Sequence, residues 1–252
     1  MLIIFGGTKD SRMIIDNLSD EFDLLVSVAT EQGATLIKTK SKNKLLIKVG
    51  KKNTIELKEM IKKNKGSVIV DATHPYATEI SLNLMNIADE LKCLYFRYER
   101  PKLEKDFELS FDTYEEIVKY LNKKSGNVLI TSGSNNLHQF LNLDDFKRLV
   151  VRVIPTSKVI KKCEEIGLGM DQIIAVLGPH SKEFNEIIIK EKNIKYLVTK
   201  ESGKIGGADN KLEAASKMGI EIISLKLPNL KYKNKYTDIL DLKTEIQNKL
   251  NN

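Results

Sequence analysis

Short apolar runs alternate with longer amphipathic stretches along the whole chain. The short runs are rich in β-branched residues and end at Gly, Asp or charged turns, which is typical of strands buried in a parallel sheet. The longer stretches carry apolar residues at helical spacing. This alternation predicts consecutive βα units and therefore an α/β fold.

In the first part of the chain, the pattern predicts the strands Leu2–Phe5, Leu24–Val28, Lys44–Val49, Val68–Ala72 and Leu94–Arg97, with helices over Asp10–Leu18, Thr54–Lys63 and Ala77–Leu91. Arg100 and Pro101 interrupt this pattern, and the charged, weakly periodic stretch Lys102–Ser110 follows. A domain boundary there is expected, with an N-terminal domain over residues 1–100 and a C-terminal domain over residues 101–252.

The second part repeats the alternation, with predicted strands Val128–Ser132, Leu149–Ile154, Gln172–Val176, Tyr196–Thr199 and Glu221–Leu225. Predicted helices are Tyr114–Leu121, Asn136–Leu141, Ser157–Ile166, Ser181–Glu191, Asn210–Met218 and Asp238–Leu250. Each half thus predicts a doubly wound, mainly parallel sheet of about five strands flanked by helices. Two such domains facing one another would create a cleft for a ligand at the carboxyl ends of the strands.

Composition limits the partners of this protein. The net charge of +7 results from 41 Lys and Arg against 34 Asp and Glu, and the basic residues are scattered, which favours a solvated surface over a nucleic-acid interface. The chain has neither an apolar run of roughly 18 residues nor a basic leader, so we expect a cytoplasmic protein without a membrane partner. Cys93 and Cys163 are far apart with no nearby His cluster, which predicts two buried thiols and no metal site.

The turn between the first predicted strand and helix reads Gly6-Gly7-Thr8-Lys9-Asp10. Two glycines before a helix allow backbone N–H groups and the helix N-terminus to meet phosphate oxygens, and Thr8 adds a hydroxyl. The spacing matches neither G-x-G-x-x-G nor the P-loop, which disfavours P-loop ATP hydrolysis. A nucleotide site and a tight turn with Thr8 or Asp10 as helix cap explain these residues equally well.

The loop Val28–Gly33 after the second predicted strand lacks an acidic residue at the strand tip, although Glu31 is close. The absence of a carboxylate there weakly favours a phosphorylated adenosine ribose, with Thr30, Gln32 and Lys38 as donors. An ordinary helix capped by Thr30 is the alternative interpretation.

The loop Asp71–Ala77 places His74, Pro75 and Tyr76 after the fourth predicted strand. An imidazole and a phenol would therefore lie at the ligand-binding edge of the sheet, and Pro75 suits the start of the following helix. A lone His often has a structural role. Its position at a strand end favours ligand contact for His74, with catalysis as a further hypothesis.

Arg occurs at five positions only, and two of them, Arg97 and Arg100, lie in the aromatic run Tyr95–Pro101. Such a run suits stacking on a planar ligand and pairing with carboxylates. An Arg–Glu surface network at the domain junction explains Arg100 equally well.

In the second half, polar loops with Gly, hydroxyl and basic residues again follow the predicted strands. They are Thr131–Leu137, Arg152–Pro155, Leu177–Ser181 and Thr199–Lys211. Their recurrence at one edge of both predicted sheets indicates a site for a large polyanionic ligand.

Taken in order, the motifs GGTKDSR, DATHPYA, YFRYERP, TSGSNNL, RVIP, GPHS and TKESGKIGG with Lys211 resemble the precorrin-6A reductase family of vitamin B12 synthesis. The resemblance spans nearly the entire chain, and DATHPYA with YERP is its most specific part. It implies two Rossmann-like domains with the active site between them. It also implies the NADPH-dependent reduction of precorrin-6A, or of its cobalt complex, to the 6B form.

The resemblance further implies roles for individual residues. The cofactor-binding residues would be Gly6, Gly7, Thr8, Asp10, Arg12, Thr30, Gly33, Thr131, Gly133 and Ser134. The substrate-binding residues would be His74, Arg97, Arg100, Lys200, Ser202, Gly203 and Lys211. The chain departs from the family where Ser134-Asn135-Asn136 replaces a frequent basic residue and where Glu201 replaces a frequent Asn, which affects individual ligand contacts.

This chemistry needs few acids or bases, because a nicotinamide supplies the hydride and the protein supplies alignment. His74, Tyr76 or an ordered water would supply the accompanying proton, and basic residues would pair with the carboxylate arms of the tetrapyrrole.

The alternatives are a reductase of a smaller substrate, a Rossmann-type methyltransferase and a non-catalytic nucleotide-binding module. A short-chain dehydrogenase pair of Tyr and Lys is absent at the expected place, because Tyr120 and Lys124 belong to a charged, solvated helix face.

Overall fold

The computed structural model describes residues 1–38, 43–100, 107–201 and 208–251. The chain forms two compact units, one comprising Met1–Pro101 with Pro228–Asn252 and the other comprising Lys102–Leu227. The predicted boundary after residue 100 agrees with the first crossing between the units. The assignment of everything beyond it to the second domain was wrong, because the chain returns to the first unit at Pro228.

The elements follow one another as predicted from the alternating pattern. The elements up to residue 100 are β1 (Leu2–Gly6), α1 (Lys9–Leu18), β2 (Leu24–Val28), α2 (Glu31–Thr35), β3 (Leu45–Val49), α3 (Thr54–Lys63), β4 (Val68–Asp71), α4 (Thr78–Leu91) and β5 (Leu94–Tyr98). The later elements are β6 (Leu109–Phe111), α5 (Tyr114–Leu121), β7 (Asn127–Ile130), β8 (Leu149–Val153), α6 (Ser157–Glu165), β9 (Ile173–Ala175), α7 (Lys182–Glu191), β10 (Ile194–Lys200), α8 (Ala208–Lys217), β11 (Glu221–Leu225), β12 (Lys235–Tyr236) and α9 (Ile239–Asn251). Short 3₁₀ helices cover Ser134–Asn142, Phe146–Arg148 and Met170–Gln172.

The sheet of the first unit has the order β12-β5-β4-β1-β2-β3, and the paired strands are parallel. Its central strand buries alternate residues in two separate cores. Leu2 and Ile4 belong to a core that includes α1 and α9, whereas Ile3 and Phe5 belong to one that includes α3 and α4. The sheet is therefore covered on both faces, as its continuous apolar strands require.

The sheet of the second unit has the order β6-β11-β10-β7-β8-β9 and is also parallel. A core of this unit joins Leu129 and Val150 in the sheet to Ile188 and Ile189 of α7 and to Leu212 of α8.

The two sheets share the same order over five strands. In each, a central strand (β1 or β7) is followed along the chain by two strands on one side and then by two on the other. A sixth strand extends the latter side, and it is the last strand of the first unit (β12) but the first strand of the second (β6). The order therefore reverses between β1 and β4 in the first unit and between β7 and β10 in the second. In open α/β sheets such a reversal opens a crevice at the carboxyl ends of the strands, where ligands bind.

The predicted fold class is confirmed, with six strands per sheet instead of about five. The pattern missed the very short edge strands β6 and β12, and the predicted helix Asn136–Leu141 lies in the 3₁₀ helix Ser134–Asn142. Among the described residues, no helix is long and apolar enough to cross a membrane.

Candidate functional site

The β1–α1 turn forms a tight and well-capped helix start. Gly7 adopts a positive φ of 116°, and a Cβ on Gly6 would lie 2.3 Å from the Cβ of Ser11. The Oγ atom of Ser11 accepts hydrogen bonds from the N–H groups of Gly7 and Thr8, at 2.9 and 3.1 Å. Both glycines are therefore required by the turn itself.

Thr8 caps α1 as one of the two sequence interpretations predicted. Its Oγ1 accepts from the N–H of Ser11 at 3.0 Å and donates to the carbonyl of Ala72 at 3.2 Å. Since the N–H groups of Gly7, Thr8 and Ser11 are used inside the turn, the N–H groups of Lys9 and Asp10 are the first-turn donors outside the capping box. An anion at this helix start would bind there.

Four predicted ligand loops meet at this edge of the first sheet. The Thr8–Ala72 bond joins the loops after β1 and β4, and Arg100 joins the loop after β5 to α1. A Cβ on Gly33 would lie 3.7 Å from the Cα of Gly7, so the loop after β2 packs closely on the first turn. The predicted convergence of these loops holds within the first unit.

Several residues of this edge that are predicted to contact a ligand form hydrogen bonds within the protein. Arg100 donates from Nε and Nη2 to Oδ2 of buried Asp10, at 2.9 and 2.6 Å. The Nη1 of Arg12 donates to the carbonyl of Thr8 at 3.2 Å. Thr30 caps α2 by accepting from the N–H of Gly33 at 3.1 Å, as its alternative interpretation predicted. These contacts shape the loops, and ligand contacts of these residues stay predictions.

Arg97 is fully buried and belongs to an interior charge network. Its Nη1 donates to Oδ1 of Asp71 at 2.7 Å and to Oγ1 of Thr73 at 3.1 Å, while Nε and Nη2 donate to Glu99. The guanidinium also lies 5.1 Å from the ring centroid of Tyr232. The exposure of Arg97 is 0%, and Asp71, Thr73 and Glu99 accept hydrogen bonds from its guanidinium, which gives it a structural role; its contact with substrate stays a prediction.

The same network fixes the turn that carries His74. Asp71 accepts from the N–H and the hydroxyl of Thr73, at 3.0 and 2.6 Å, and this anchors the residue before the histidine. The imidazole itself is exposed, and its Nδ1 accepts from the N–H of Tyr76 at 3.3 Å. The His74 and Tyr76 ring centroids lie 5.7 Å apart. The turn therefore presents both rings on a rigid base, and their catalytic roles stay predictions.

The second unit contains a cavity of about 520 Å³ at the carboxyl ends of β7, β8 and β9. Its lining unites three loops that the sequence singled out with residues of α7 and α8. The lining residues are Thr131, Gly133, Ser134, Arg152, Val153, Ile154, Val176, Gly178, Pro179, His180, Asn185 and Lys211. Predicted cofactor-binding and substrate-binding residues thus share one cavity.

This cavity is cationic. Burial of its ammonium group, together with repulsion from Arg152, lowers the pKa of Lys211 to about 8. Burial also lowers the pKa of Arg152 and, with Arg152 as the second cause, that of His180. Arg152 Nη1 donates to Oδ1 of buried Asn185 at 2.6 Å, and His180 stacks on Phe184 with ring centroids 4.5 Å apart. None of the described residues that line the cavity is acidic.

The remaining predicted residues lie at or beyond the end of β10. Burial lowers the pKa of Lys200, the last residue of that strand, whereas Ser202 and Gly203 lie outside the described residues. The Glu201 carboxylate accepts from the Ser110 and Ser224 hydroxyls and from the N–H of Leu227. Glu201 therefore ties the end of β10 to neighbouring backbone, which gives this departure from the family pattern a structural role.

Sequence reasoning missed three residues as site residues. Arg152 and His180 lie in the RVIP and GPHS motifs, and the scarcity of Arg together with a strand-end position is the signal that singles out Arg152. Asn185 lies on the buried face of α7, where nothing in the local pattern distinguishes it from a packing residue.

The fold and these edges define a class of protein: a pair of doubly wound α/β units whose polar loops gather at the ligand-binding ends of the strands. A family model described as "Precorrin-6x reductase CbiJ/CobK" matches residues 1–247, so the chain belongs to the precorrin-6x reductase family.

Individual relatives cover almost the whole chain. The cobalt-precorrin-6A reductase of Priestia megaterium is 33% identical over 244 residues, which are 94% of each chain. The protein of the same name from Methanocaldococcus jannaschii is 34% identical over 251 residues, which are 98% of each chain. The solved structure "CobK precorrin-6A reductase" has a TM-score of 0.78 at 18% identity and covers 98% of this chain and 96% of its own, which confirms the fold.

Proposed function

We propose that this protein reduces precorrin-6A or its cobalt complex to the 6B form with NADPH. The observation that carries the proposal is the family match over residues 1–247. Two relatives of one-third identity are named for the cobalt complex, which makes that complex the first substrate to test.

The first unit fits a dinucleotide at the crevice between β1 and β4. Among the described residues, an added Cβ on Gly7 would meet nothing within 4 Å apart from its chain neighbours, and the N–H groups of Lys9 and Asp10 belong to the first turn of α1 outside the capping box. In this arrangement Thr30 and Gly33 would lie on the adenosine side of the bound dinucleotide. When bound, the nicotinamide supplies a hydride to the macrocycle.

The residues of the chain would orient the substrate and handle the proton. Adding a hydride to a conjugated system also requires a proton, and the exposed His74 and its neighbour Tyr76 are the candidate donors beside the crevice. The basic residues Lys200 and Lys211 would pair with substrate carboxylates. Removing these partners would weaken substrate binding more than the chemical step.

The test is anaerobic spectrophotometry of the purified protein with NADPH or NADH and with either cobalt-precorrin-6A or precorrin-6A. We expect loss of nicotinamide absorbance that depends on the tetrapyrrole, with NADPH preferred over NADH. No turnover of either tetrapyrrole with either nucleotide would reject the proposed activity.

A further inference from the structure

The cavity of the second unit brings together residues to which the resemblance gives two separate roles. Thr131, Gly133 and Ser134 follow β7, whereas Lys211 lies in α8, and all four line the same 520 Å³ volume. A volume of this size is within the usual range of a pocket for one small-molecule ligand. The simplest occupant is therefore one ligand whose anionic group contacts residues of both sets.

Among the residues that the structure describes, no carboxylate balances the charges in this cavity. In the described part of the chain, neither Arg152 nor Lys211 forms an ion pair, and the lining contains no carboxylate. Removing two cations from water without an anion nearby is costly, as the lowered pKa values of both groups show. An anion bound between them would offset this cost.

The position of Arg152 is built into the fold. Asn185 is buried, and it holds Nη1 of Arg152 through Oδ1 while its own Nδ2 donates to the carbonyl of Ser181 at 2.6 Å. One side of the guanidinium is thereby fixed, and its other donors are left for a ligand in the cavity. This arrangement predetermines the direction from which an oxyanion binds.

The loop after β7 supplies neutral donors opposite these cations. Gly133 adopts a φ of 86°, has open space where a Cβ would stand, and precedes the 3₁₀ helix without a side-chain cap. The backbone leaves the helical region at Asn136, so no continuous helix begins at Ser134. What this turn offers an anion is the backbone N–H of Ser134 beside the open face of Gly133. The Thr131 hydroxyl is not among these donors, because it donates to the carbonyl of Val198 at 3.1 Å.

The rim of the cavity is apolar. Val153, Val176 and Pro179 line it together with Ile154, which is 43% exposed, and the adjacent Leu177 is 65% exposed. Exposed branched side chains beside a cationic cavity suit a ligand with an anionic group on a largely apolar or planar body. Free inorganic anions would not need such a rim.

We propose that this cavity is an oxyanion subsite, in which Arg152, Lys211 and the Gly133–Ser134 turn together bind one anionic group of a single organic ligand. Given the proposed function, on which this inference rests, that group is either a phosphate of the dinucleotide or a carboxylate of the tetrapyrrole. Asn185 acts as the positioning residue for Arg152, and His180 forms a wall beside it.

The experiment compares Arg152→Gln and Lys211→Met in the full-length protein with Lys195→Gln as control. Lys195 is exposed at the start of β10, so the control removes the same unit of charge at the amino end of the strands, away from the cavity at their carboxyl ends. NADPH binding is measured by fluorescence titration, and binding of uroporphyrin I, a planar tetrapyrrole polycarboxylate, is measured by absorbance titration. Circular dichroism checks that each variant is folded.

We expect both cavity variants to weaken one of the two ligands about tenfold or more and to leave the other within about twofold, while Lys195→Gln changes neither. Weaker NADPH binding identifies the anion as phosphate, and weaker uroporphyrin binding identifies it as carboxylate. Arg152→Lys should recover part of the lost affinity, because it restores the charge but not the fork.

The inference is overturned if both ligands keep wild-type affinity in both variants, or if both lose affinity to the same extent. Turnover of precorrin-6A by the wild-type protein is measured separately. If the wild-type protein reduces the tetrapyrrole but the Arg152 and Lys211 variants bind both ligands normally, only the subsite is refuted. If ligand binding depends on these residues but neither tetrapyrrole is reduced, only the proposed activity is refuted.

Discussion

Two arginines hold the same place in two different strands and have opposite environments. Arg97 is the fourth residue of β5 in the first unit, and Arg152 is the fourth residue of β8 in the second. Arg97 is surrounded by Asp71 and Glu99, whereas Arg152 has one amide oxygen and a nearby lysine. A buried cation with carboxylate partners stabilises its own loop, whereas a buried cation without such partners is the one that we propose binds an anionic ligand.

The pKa values of the two guanidinium groups express the same contrast. Burial lowers the pKa of Arg97, but the charge of Asp71 and further acidic neighbours outweigh it, so that the pKa is raised. Burial lowers the pKa of Arg152, with no opposing charge. The charge of Arg97 is therefore stabilised within the folded protein, whereas that of Arg152 would gain a comparable stabilisation from the anion that we propose for its cavity.

The largest expected effect on stability follows from breaking the paired cluster, by which we mean Arg97 with Asp71 and Glu99. Asp71→Asn keeps the shape of the side chain but leaves the buried Arg97 without its closest carboxylate, and it weakens the anchor of Thr73. We expect a loss of about 3–5 kcal/mol in the free energy of unfolding, measured by urea denaturation.

Asp89→Asn is the matched control for that change, because it removes an exposed carboxylate that pairs with Lys233 in the same unit. Its expected cost is below about 1 kcal/mol. Equal stabilities of the two variants would show that the buried pair does not hold this part of the first unit together.

Removing a charge from the unpaired cluster, by which we mean Arg152 and Lys211, should instead raise the free energy of unfolding. Burial lowers the pKa of Lys211 to about 8 from its ordinary value of 10.5, so near pH 7 the folded protein carries a charge that its surroundings disfavour. Lys211→Met should raise the free energy of unfolding at pH 7 by about 1–3 kcal/mol. Denaturation of this variant and of Lys195→Met as control measures the difference.

The pH dependence of this gain tests its origin. Wild-type stability should rise between pH 8 and 10.5, because the unfolded chain binds more protons than the folded one in that range. The advantage of Lys211→Met should shrink over the same range. The titratable neighbours in the same cavity are Arg152 and His180, and because both are basic, neither supplies a negative charge to Lys211. If the stability gain of Lys211→Met is constant from pH 7 to 10, the gain comes from packing and not from the removed charge.

The main elements of both sheets could be predicted because their β-branched runs and helical stripes are local signals. The strand Leu24–Val28 and the helices Thr54–Lys63 and Tyr114–Leu121 have the predicted bounds. The return of the chain to the first unit could not be predicted, because β12 is only two residues long. Its place depends on backbone bonds to β5, such as that from the N–H of Arg97 to the carbonyl of Asn234.

The candidate site was predictable to the extent that it lies in loops. The strand-end rule places Thr8, His74, Thr131 and Arg152 at the ligand-binding edges from sequence alone. It does not reveal which charges are already paired, and for this reason the buried ion pairs of Arg97 with Asp71 and Glu99 were not foreseen. Pairing depends on side chains from distant elements, which local patterns do not encode.

The smallest effect on stability is expected at His74, outside both clusters. Its imidazole is exposed, and its contact with the backbone of Tyr76 is long at 3.3 Å, so His74→Ala should change the free energy of unfolding by less than about 0.5 kcal/mol. If His74 donates the proton or contacts the substrate, kcat/KM for precorrin-6A should still fall about tenfold to a thousandfold. His138→Ala, which removes another exposed imidazole, serves as control and should leave kcat/KM unchanged. Equal kinetics in the two variants would reject a site role for His74, and a large loss of stability would show that the turn depends on the ring rather than on the Asp71–Arg97 pair.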